Sequence, residues 1–151
     1  MKKISEHISW KEGTFSNTAK RLKINNKPTK EIIKNMDLVA DKVFEPLREW
    51  VDGAIRVNSF YRCEELNTAL RGSKNSSHIK GQAIDIDSLG KKTNAEMYEY
   101  IKDNLDFDLL IWEFGEVDPK WLHISYVSKK ENRKEVLKAV YRGSKLTYYK
   151  Q

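Results

Sequence analysis

The sequence contains very little cysteine, proline and glycine, and it has no long apolar run. Of its 151 residues, one is cysteine (Cys63), three are proline and seven are glycine. A single cysteine excludes an internal disulfide and a zinc site built from several thiolates, so nitrogen and oxygen ligands would have to hold any metal. Apolar runs such as 109–112 fall far short of the ~20 residues that cross a bilayer, so we expect no membrane insertion.

The chain also lacks repeats, low-complexity tracts and linkers rich in proline, glycine and serine. We therefore expect one domain over residues 1–151, with a helical lead-in over 1–53 and a motif-bearing core over about 55–127. Polar residues follow Met1-Lys2-Lys3 where a signal peptide would have an apolar segment, so the sequence predicts no signal peptide.

The charge balance is basic but dispersed. Lys and Arg number 28 against 22 Asp and Glu, which gives a net charge of +6. Both signs are mixed along the chain, which is typical of a solvated surface and not of a dedicated nucleic-acid site. We expect no nucleic-acid partner, although any polyanion, including a cell-wall polymer, would be attracted.

Apolar spacing and turn signals predict an α+β fold with a small, mainly antiparallel sheet and flanking helices. A capping box at Thr93 and Glu96 marks one helix start, and Pro46 is expected to kink or divide the longest helix. The predicted strands are 54–60, 82–87, 107–114 and 121–127, and the predicted helices are 16–22, 29–52, 62–70, 93–105 and 132–140.

Two of the three histidines lie in settings that suit a metal. His78 ends a polar loop seven residues before Asp85, and His123 lies in the middle of a predicted strand. Two imidazoles and a carboxylate are ligands of the kind that a catalytic zinc takes, with a fourth position open for water. Residue types and spacing alone favour a surface histidine at 78 and a half-buried strand histidine at 123 over a metal site.

The signature of the M15 family of zinc peptidases resembles two strings of this chain. These are Ser76-x-His78-x-x-Gly81-x-Ala83-x-Asp85 and Trp121-Leu122-His123-Ile124-Ser125. A third family element, Ser-x-Tyr-Arg-x-x-x-Leu-Asn, is similar to residues 59–67, and the resemblance spans about 55–127. The family contains D-Ala-D-Ala carboxypeptidases and dipeptidases and phage L-alanyl-D-glutamate endolysins, and it shares its fold with the hedgehog signalling domain. The chain most resembles the phage and prophage subgroup.

The resemblance implies one zinc ion bound by His78, Asp85 and His123. It also implies that Arg62 faces the substrate carbonyl or carboxylate, where a fixed guanidinium charge suits a developing oxyanion. Ser76 matches a family serine near the substrate. The alternatives are a surface ion pair of Arg62 with a neighbouring glutamate and a local turn bond for Ser76.

The general base is where the sequence departs from many members of the family. Their acid three residues before the last histidine is replaced by Lys120, which leaves Glu113 and Asp118 as candidates. A hairpin centred on 118 would place Glu113 directly opposite His123, and a shift of two residues would keep both on one face. We therefore favour Glu113 as the base over Asp118, which we interpret as a turn residue. Aromatic side chains at 61, 112, 114 and 121 would line a peptide groove or lie in the core.

The resemblance implies a peptidase that cuts the peptide part of bacterial peptidoglycan, with the stem peptides as its partner and Zn²⁺ as its cofactor. It implies a phage or prophage enzyme made in the host cytoplasm, which reaches the cell wall after holin release or as a virion component and is a monomer if free. The alternatives are an exported D,D-carboxypeptidase and a hedgehog-like zinc domain that binds the cell wall or a protein without hydrolysis. D-Ala-D-Ala bonds, L-Ala-D-Glu bonds and a cross-bridge are all open as targets.

Overall fold

A computed structural model describes residues 3–151 of the chain. Its strands are β1 (Lys3–Ser5), β2 (Ile8–Ser9), β3 (Ile55–Ser59), β4 (Ala83–Ser88), β5 (Leu109–Glu113), β6 (Trp121–Ser125), β7 (Glu135–Arg142) and β8 (Lys145–Lys150). Its α-helices are α1 (Trp10–Thr14), α2 (Asn17–Leu22), α3 (Lys30–Val39), α4 (Glu45–Val51), α5 (Glu64–Ala69) and α6 (Asn94–Asn104). A π-helical segment (Ala40–Phe44) joins α3 to α4, and a 3-10 turn (Ser77–Lys80) precedes β4. Across these residues, none of the helices combines the length and apolar character that crossing a membrane requires.

Six strands form the main sheet in the order β3-β4-β6-β5-β7-β8. Neighbouring strands are antiparallel except for β5 and β7, which are parallel. Strands β1 and β2 make a separate antiparallel pair. The predicted α+β class with a mainly antiparallel sheet is confirmed.

The main sheet buries one face against helices α3, α4 and α6. Because successive strand residues point to opposite faces, the apolar residues of β4 to β6 alternate with those that face away from the helices. Each fully buried side chain of this kind contributes roughly 1.5–3 kcal/mol. The buried residues at this contact are Met36, Val43, Leu47, Ile84, Ile86, Met97, Ile101, Leu110, Leu122 and Ile124. Their strand neighbours Asp85 and His123 are thereby directed to the opposite, open face.

The longest helical region follows its predicted bounds. Thr29 caps the start of α3 by accepting a hydrogen bond from the Ile32 amide, and Asp52 ends α4 in a left-handed conformation. Proline has no backbone N–H to donate to the preceding helical turn. The wider turns of the π-helical segment lie just before Pro46. The predicted division at Pro46 is thus confirmed, as a π-helical segment between α3 and α4.

The predicted capping box is also confirmed, and the lead-in contains elements that the sequence did not predict. Ser16 caps α2, and Thr93 and Glu96 form a capping box at the start of α6. The β1–β2 pair and helix α1 are not among the predicted elements of this lead-in. Met1 and Lys2 of the predicted lead-in lie outside the described residues.

The predicted closing helix over 132–140 is wrong, because this segment forms strand β7. Glu, Leu, Lys and Ala in this stretch favour a helix on intrinsic propensity. However, β5 would have an unpaired hydrogen-bonding edge beside β6, and β7 pairs with that edge from Leu109↔Glu135 to Glu113↔Ala139. The tertiary hydrogen bonds therefore override the local preference.

Candidate metal centre and cleft

Three side chains converge on the open face of the sheet. Asp85 of β4 lies directly opposite His123 of β6 in the antiparallel register, and His78 approaches from the 3-10 turn. His123 Nδ1 lies 2.9 Å from Asp85 Oδ1, and His78 Nε2 lies 3.2 Å from Asp85 Oδ2. One ligand atom from each residue lies within 4.8 Å of the other two, so the group could hold a metal ion.

The ring of His78 is fixed by a backbone carbonyl. Its Nδ1 lies 2.7 Å from the carbonyl oxygen of Phe60, and only 1% of the residue is exposed. Since a carbonyl only accepts hydrogen bonds, Nδ1 carries a proton, and Nε2 is the ring nitrogen that faces Asp85. Metal-ligating histidines are commonly oriented in this way by a carbonyl or carboxylate.

A capped turn and one glycine hold the His78 segment in place. The Ser76 hydroxyl accepts a hydrogen bond from the His78 amide, and Gly81 ends the turn with a φ of +69°. A Cβ at Gly81 would lie 2.8 Å from the side chain and 2.9 Å from the carbonyl oxygen of Ile32 on α3. Both the positive φ and the close approach therefore require glycine at this position.

The carboxylate of Asp85 is stabilised in its charged form. Burial alone would raise the pKa of Asp85, but the charges and hydrogen bonds of His78 and His123 outweigh burial and hold the pKa well below its usual range. An ionised carboxylate between two imidazole nitrogens is a suitable donor set for a divalent cation.

An open cleft of about 590 Å³ surrounds the three residues. One wall comes from Arg62 and the polar loop over 71–77, and the floor includes Ile111 beside the candidate ligands. The opposite wall consists of Glu113, Phe114 and Trp121 with Tyr141, Leu146 and Tyr148 of the C-terminal β7–β8 hairpin. The lining of the cleft thus has an arginine on one side of the three candidate ligands and aromatic residues on the other.

The structure places Glu113 in this cleft, on the same face as His123, but in a different register from the one predicted. Glu113 pairs with Trp121, and His123 pairs with Ile111. The prediction that Glu113 lies directly opposite His123 is wrong, because the Lys120 amide donates to the Glu113 carbonyl and closes the turn one residue earlier. The diagonal arrangement keeps both side chains on one face, as the two-residue shift predicted.

Glu113 is a buried acid, with 9% of the residue exposed. Burial raises the pKa of its carboxyl to about 7, His123 opposes this shift, and the charge of Asp85 adds to it. The other candidate, Asp118, is exposed and accepts a hydrogen bond of 2.7 Å from the Ala95 amide at the start of α6. Lys120 is exposed as well. Of the two candidate acids, only Glu113 therefore lines the cleft.

Arg62 and Ser76 lie together at the other wall. An Nη of Arg62 donates to the Ser76 hydroxyl over 3.3 Å, and burial lowers the pKa of the guanidinium while the charge of Asp85 opposes that shift. Within residues 3–151, no ion pair joins Arg62 to Glu64 or Glu65, which was the alternative interpretation of this arginine. Ser76 makes the predicted local turn bond and also faces the cleft.

The aromatic residues divide between cleft and core. Phe114 and Trp121 line the cleft with their rings 5.4 Å apart. Tyr61 is buried in the core, and Trp112 lies on the helix-covered face, where its ring contacts Tyr98 edge-on at 5.2 Å.

Sequence reasoning missed the cleft residues of the C-terminal hairpin, because their segment was predicted as a helix and an uncertain tail. Gly143 and Ser144 separate β7 from β8, and a two-residue Gly-Ser connection between two strand-like runs is a hairpin signal that could have revealed them. No sequence signal marked the Phe60 carbonyl as a partner of His78.

A family model described as Peptidase M15 matches residues 5–125. A search of curated proteins gives no match to the chain. The matched range contains the three candidate ligands, Arg62 and Glu113, and it ends before the β7–β8 hairpin.

Proposed function

The chain belongs to the peptidase M15 family, and we propose that it is a zinc-dependent hydrolase of peptide bonds in bacterial peptidoglycan. The observation that carries the proposal is the single cleft in which His78, Asp85 and His123 converge beside a buried acid and an arginine. A structural ion-pair network would not need an open groove around it, whereas a peptidase does.

The donor set fits zinc. Two imidazole nitrogens and one carboxylate oxygen match the ligands of catalytic zinc sites, and the hydrogen bond from His78 to the Phe60 carbonyl presents Nε2 for coordination. We propose His78 Nε2, Asp85 and His123 Nδ1 as the ligands. Zinc, when bound, supplies Lewis acidity that acidifies water and polarises a carbonyl.

We propose Glu113 as the general base and acid. A carboxyl whose pKa is about 7 exchanges protons readily near neutral pH. Its carboxylate would take a proton from the attacking water, hold it on the carboxyl oxygen and give it to the leaving nitrogen of the peptide. This sequence conserves the proton and uses one residue for both transfers.

We propose that Arg62 binds the substrate oxygen that becomes negatively charged. Its guanidinium is a fixed cation and a multiple donor, and the Ser76 hydroxyl orients it in the wall of the cleft. Preorganised donors of this kind stabilise the charge that develops as the carbonyl is attacked. Ser76 would then act on the substrate mainly through Arg62.

The proposed substrate is the stem peptide, cut at a D-Ala-D-Ala or L-Ala-D-Glu bond, and the proposed role is cell-wall lysis by a phage or prophage. The motif resemblance supports this assignment, and the net charge of +6 favours association with an anionic cell wall. We also propose that the protein reaches the cell wall after release by a holin or as part of a virion, and that it is a monomer when free.

The test is digestion of purified peptidoglycan by zinc-loaded protein, with and without a chelator. Mass spectrometry of the products should reveal new peptide termini that disappear when zinc is removed, and their identity names the bond. Glu113→Gln should retain one bound zinc per chain while hydrolysis falls by a factor of about 100 or more. The matched control is Glu116→Gln in the exposed turn, which should cut at the wild-type rate.

Absence of metal-dependent termini would refute the peptidase proposal. If one zinc ion nevertheless binds tightly and the His78→Ala substitution abolishes zinc binding, the chain is a zinc-binding domain that does not hydrolyse peptides. If Glu113→Gln cuts as fast as wild type, the assignment of the base is wrong while the peptidase stands.

A further inference from the structure

The C-terminal hairpin, beyond the matched residues 5–125, contributes a wall of the cleft. Strand β7 extends the sheet from β5, and β8 pairs with β7, so the sheet continues two strands past Glu113. Three of the hairpin's large side chains are exposed together on the cleft face: Tyr141 (63%), Leu146 (38%) and Tyr148 (49%). Exposed apolar groups that share one surface with a site often mark binding.

Tyr148 occupies a defined position relative to the proposed base. Glu113 lies opposite Ala139 on β7, and Ala139 lies opposite Tyr148 on β8, so the three share one row of the sheet. Two strand spacings separate the Glu113 and Tyr148 backbones by roughly 10 Å, with only the small Ala139 side chain between them. The charge of Glu113 reaches the Tyr148 phenol, whose pKa is raised by burial and by that charge.

The position of Glu113, Ala139 and Tyr148 relative to the candidate ligands determines which part of a bound peptide would contact Tyr148. The candidate ligands on β4 and β6 lie on one side of Glu113, and the hairpin lies on the other. Glu113 must reach the leaving nitrogen to protonate it, so the segment released with that nitrogen extends past Glu113 toward β8. Arg62, which we propose binds the carbonyl oxygen, lies on the opposite wall.

We propose that Tyr148 is a substrate-binding residue of the leaving-group subsite, whose wall is the aromatic and aliphatic surface of the β7–β8 hairpin. The inference rests on the proposed function and deepens it by assigning the two ends of the cleft. The subsite takes the peptide segment that is C-terminal to the cut bond, with its backbone and side chain against the Tyr148 ring.

The experiment uses calorimetry to measure how tightly the soluble peptidoglycan stem pentapeptide binds to zinc-loaded Glu113→Gln protein. The Glu113→Gln substitution prevents turnover during the measurement. In that background, Tyr148→Ala should raise the Kd of the pentapeptide about tenfold or more, because it removes the aromatic contact and the hydrogen bond that we propose the Tyr148 hydroxyl makes to the peptide. The Kd of the Tyr148→Phe protein should lie between those of Tyr148→Ala and of the background protein, since phenylalanine keeps the ring. Tyr149→Ala is the matched control, because Tyr149 lies on the other face of β8 opposite Lys138, and it should change the Kd by less than about twofold.

Two outcomes overturn the inference, and they are distinguishable. If the background protein binds the pentapeptide and Tyr148→Ala binds it as tightly as Tyr149→Ala does, the subsite assignment is wrong and the proposed function stands. If the background protein binds no pentapeptide, the proposed function fails and the subsite fails with it. Should Tyr148→Ala not fold, as judged by its urea midpoint, Tyr148→Phe carries the test with an expected rise in Kd of about threefold.

Discussion

The buried carboxyl of Glu113 should make the metal-free protein less stable as the pH rises. Its pKa is about 7 when folded and 4.5 at its ordinary value, so between these pH values the folded protein holds a proton that the unfolded chain has released. The contribution of this group to the free energy of unfolding is therefore largest below pH 4.5, and this contribution is lost as the pH rises through 7. At 1.36 kcal/mol for each tenfold difference in proton affinity, the loss amounts to about 3 kcal/mol, most of it between pH 5 and pH 8.

Glu113→Gln removes the titrating group and should abolish this loss. Urea denaturation of both proteins, with a chelator present, gives the free energy of unfolding at pH 5 and at pH 8. Relative to wild type, the variant should gain about 2 to 3 kcal/mol between the two pH values. Glu116→Gln, in the exposed turn, should follow the wild-type curve. A constant difference between Glu113→Gln and wild type across this range would refute the description of Glu113 as a buried, largely neutral acid.

Three further substitutions test other parts of the site and its support. Arg62→Lys should lower kcat/KM on peptidoglycan at least about tenfold without loss of bound zinc, because a point charge replaces the guanidinium fork; an unchanged kcat/KM would contradict the role of Arg62. Asp118→Asn should cut within about twofold of the wild-type rate, because residue 118 would still accept the hydrogen bond of the Ala95 amide and takes no part in proton transfer. Thr93→Ala should lower the free energy of unfolding by about 1 kcal/mol in urea, since the Glu96 amide loses its capping partner; no loss would show that α6 does not depend on this cap.

The sequence predicted the parts of the site that depend on strand alternation. Asp85 and His123 each lie between buried apolar neighbours on the next positions of their strands, so burial of Ile84, Ile86 and Ile124 directs both polar side chains to one face. The same alternation kept Glu113 on the face of His123 even though the predicted register was two residues off. Burial thus determines which face of the sheet a side chain lies on, whereas the turn determines which residues of β5 and β6 pair. Here the hydrogen bond from the Lys120 amide to the Glu113 carbonyl sets that register.

The hairpin could not be predicted in the same way, because its partner is distant in sequence. Strand β7 forms in parallel with β5, about 26 residues earlier in the chain, and this pairing is invisible to local propensity. The orientation of His78 depends likewise on the Phe60 carbonyl, 18 residues away. Both contacts follow from how the chain closes the sheet, and neither leaves a pattern in the residues that make them.

The end of β5 shows how the hairpin and the proposed base are connected. Phe114 follows Glu113 with a φ of 64°, a left-handed conformation that costs a non-glycine residue roughly 1 kcal/mol or more. In a continued strand its ring would face the helices, but the turn directs it to the cleft, where it stacks on Tyr141 at 4.9 Å and contacts Trp121 edge-on. Two aromatic contacts of about 0.5–1.5 kcal/mol each are enough to offset that cost. The hairpin therefore stabilises the strained residue beside Glu113, so that the part of the chain outside the family match bears directly on the geometry of the proposed base.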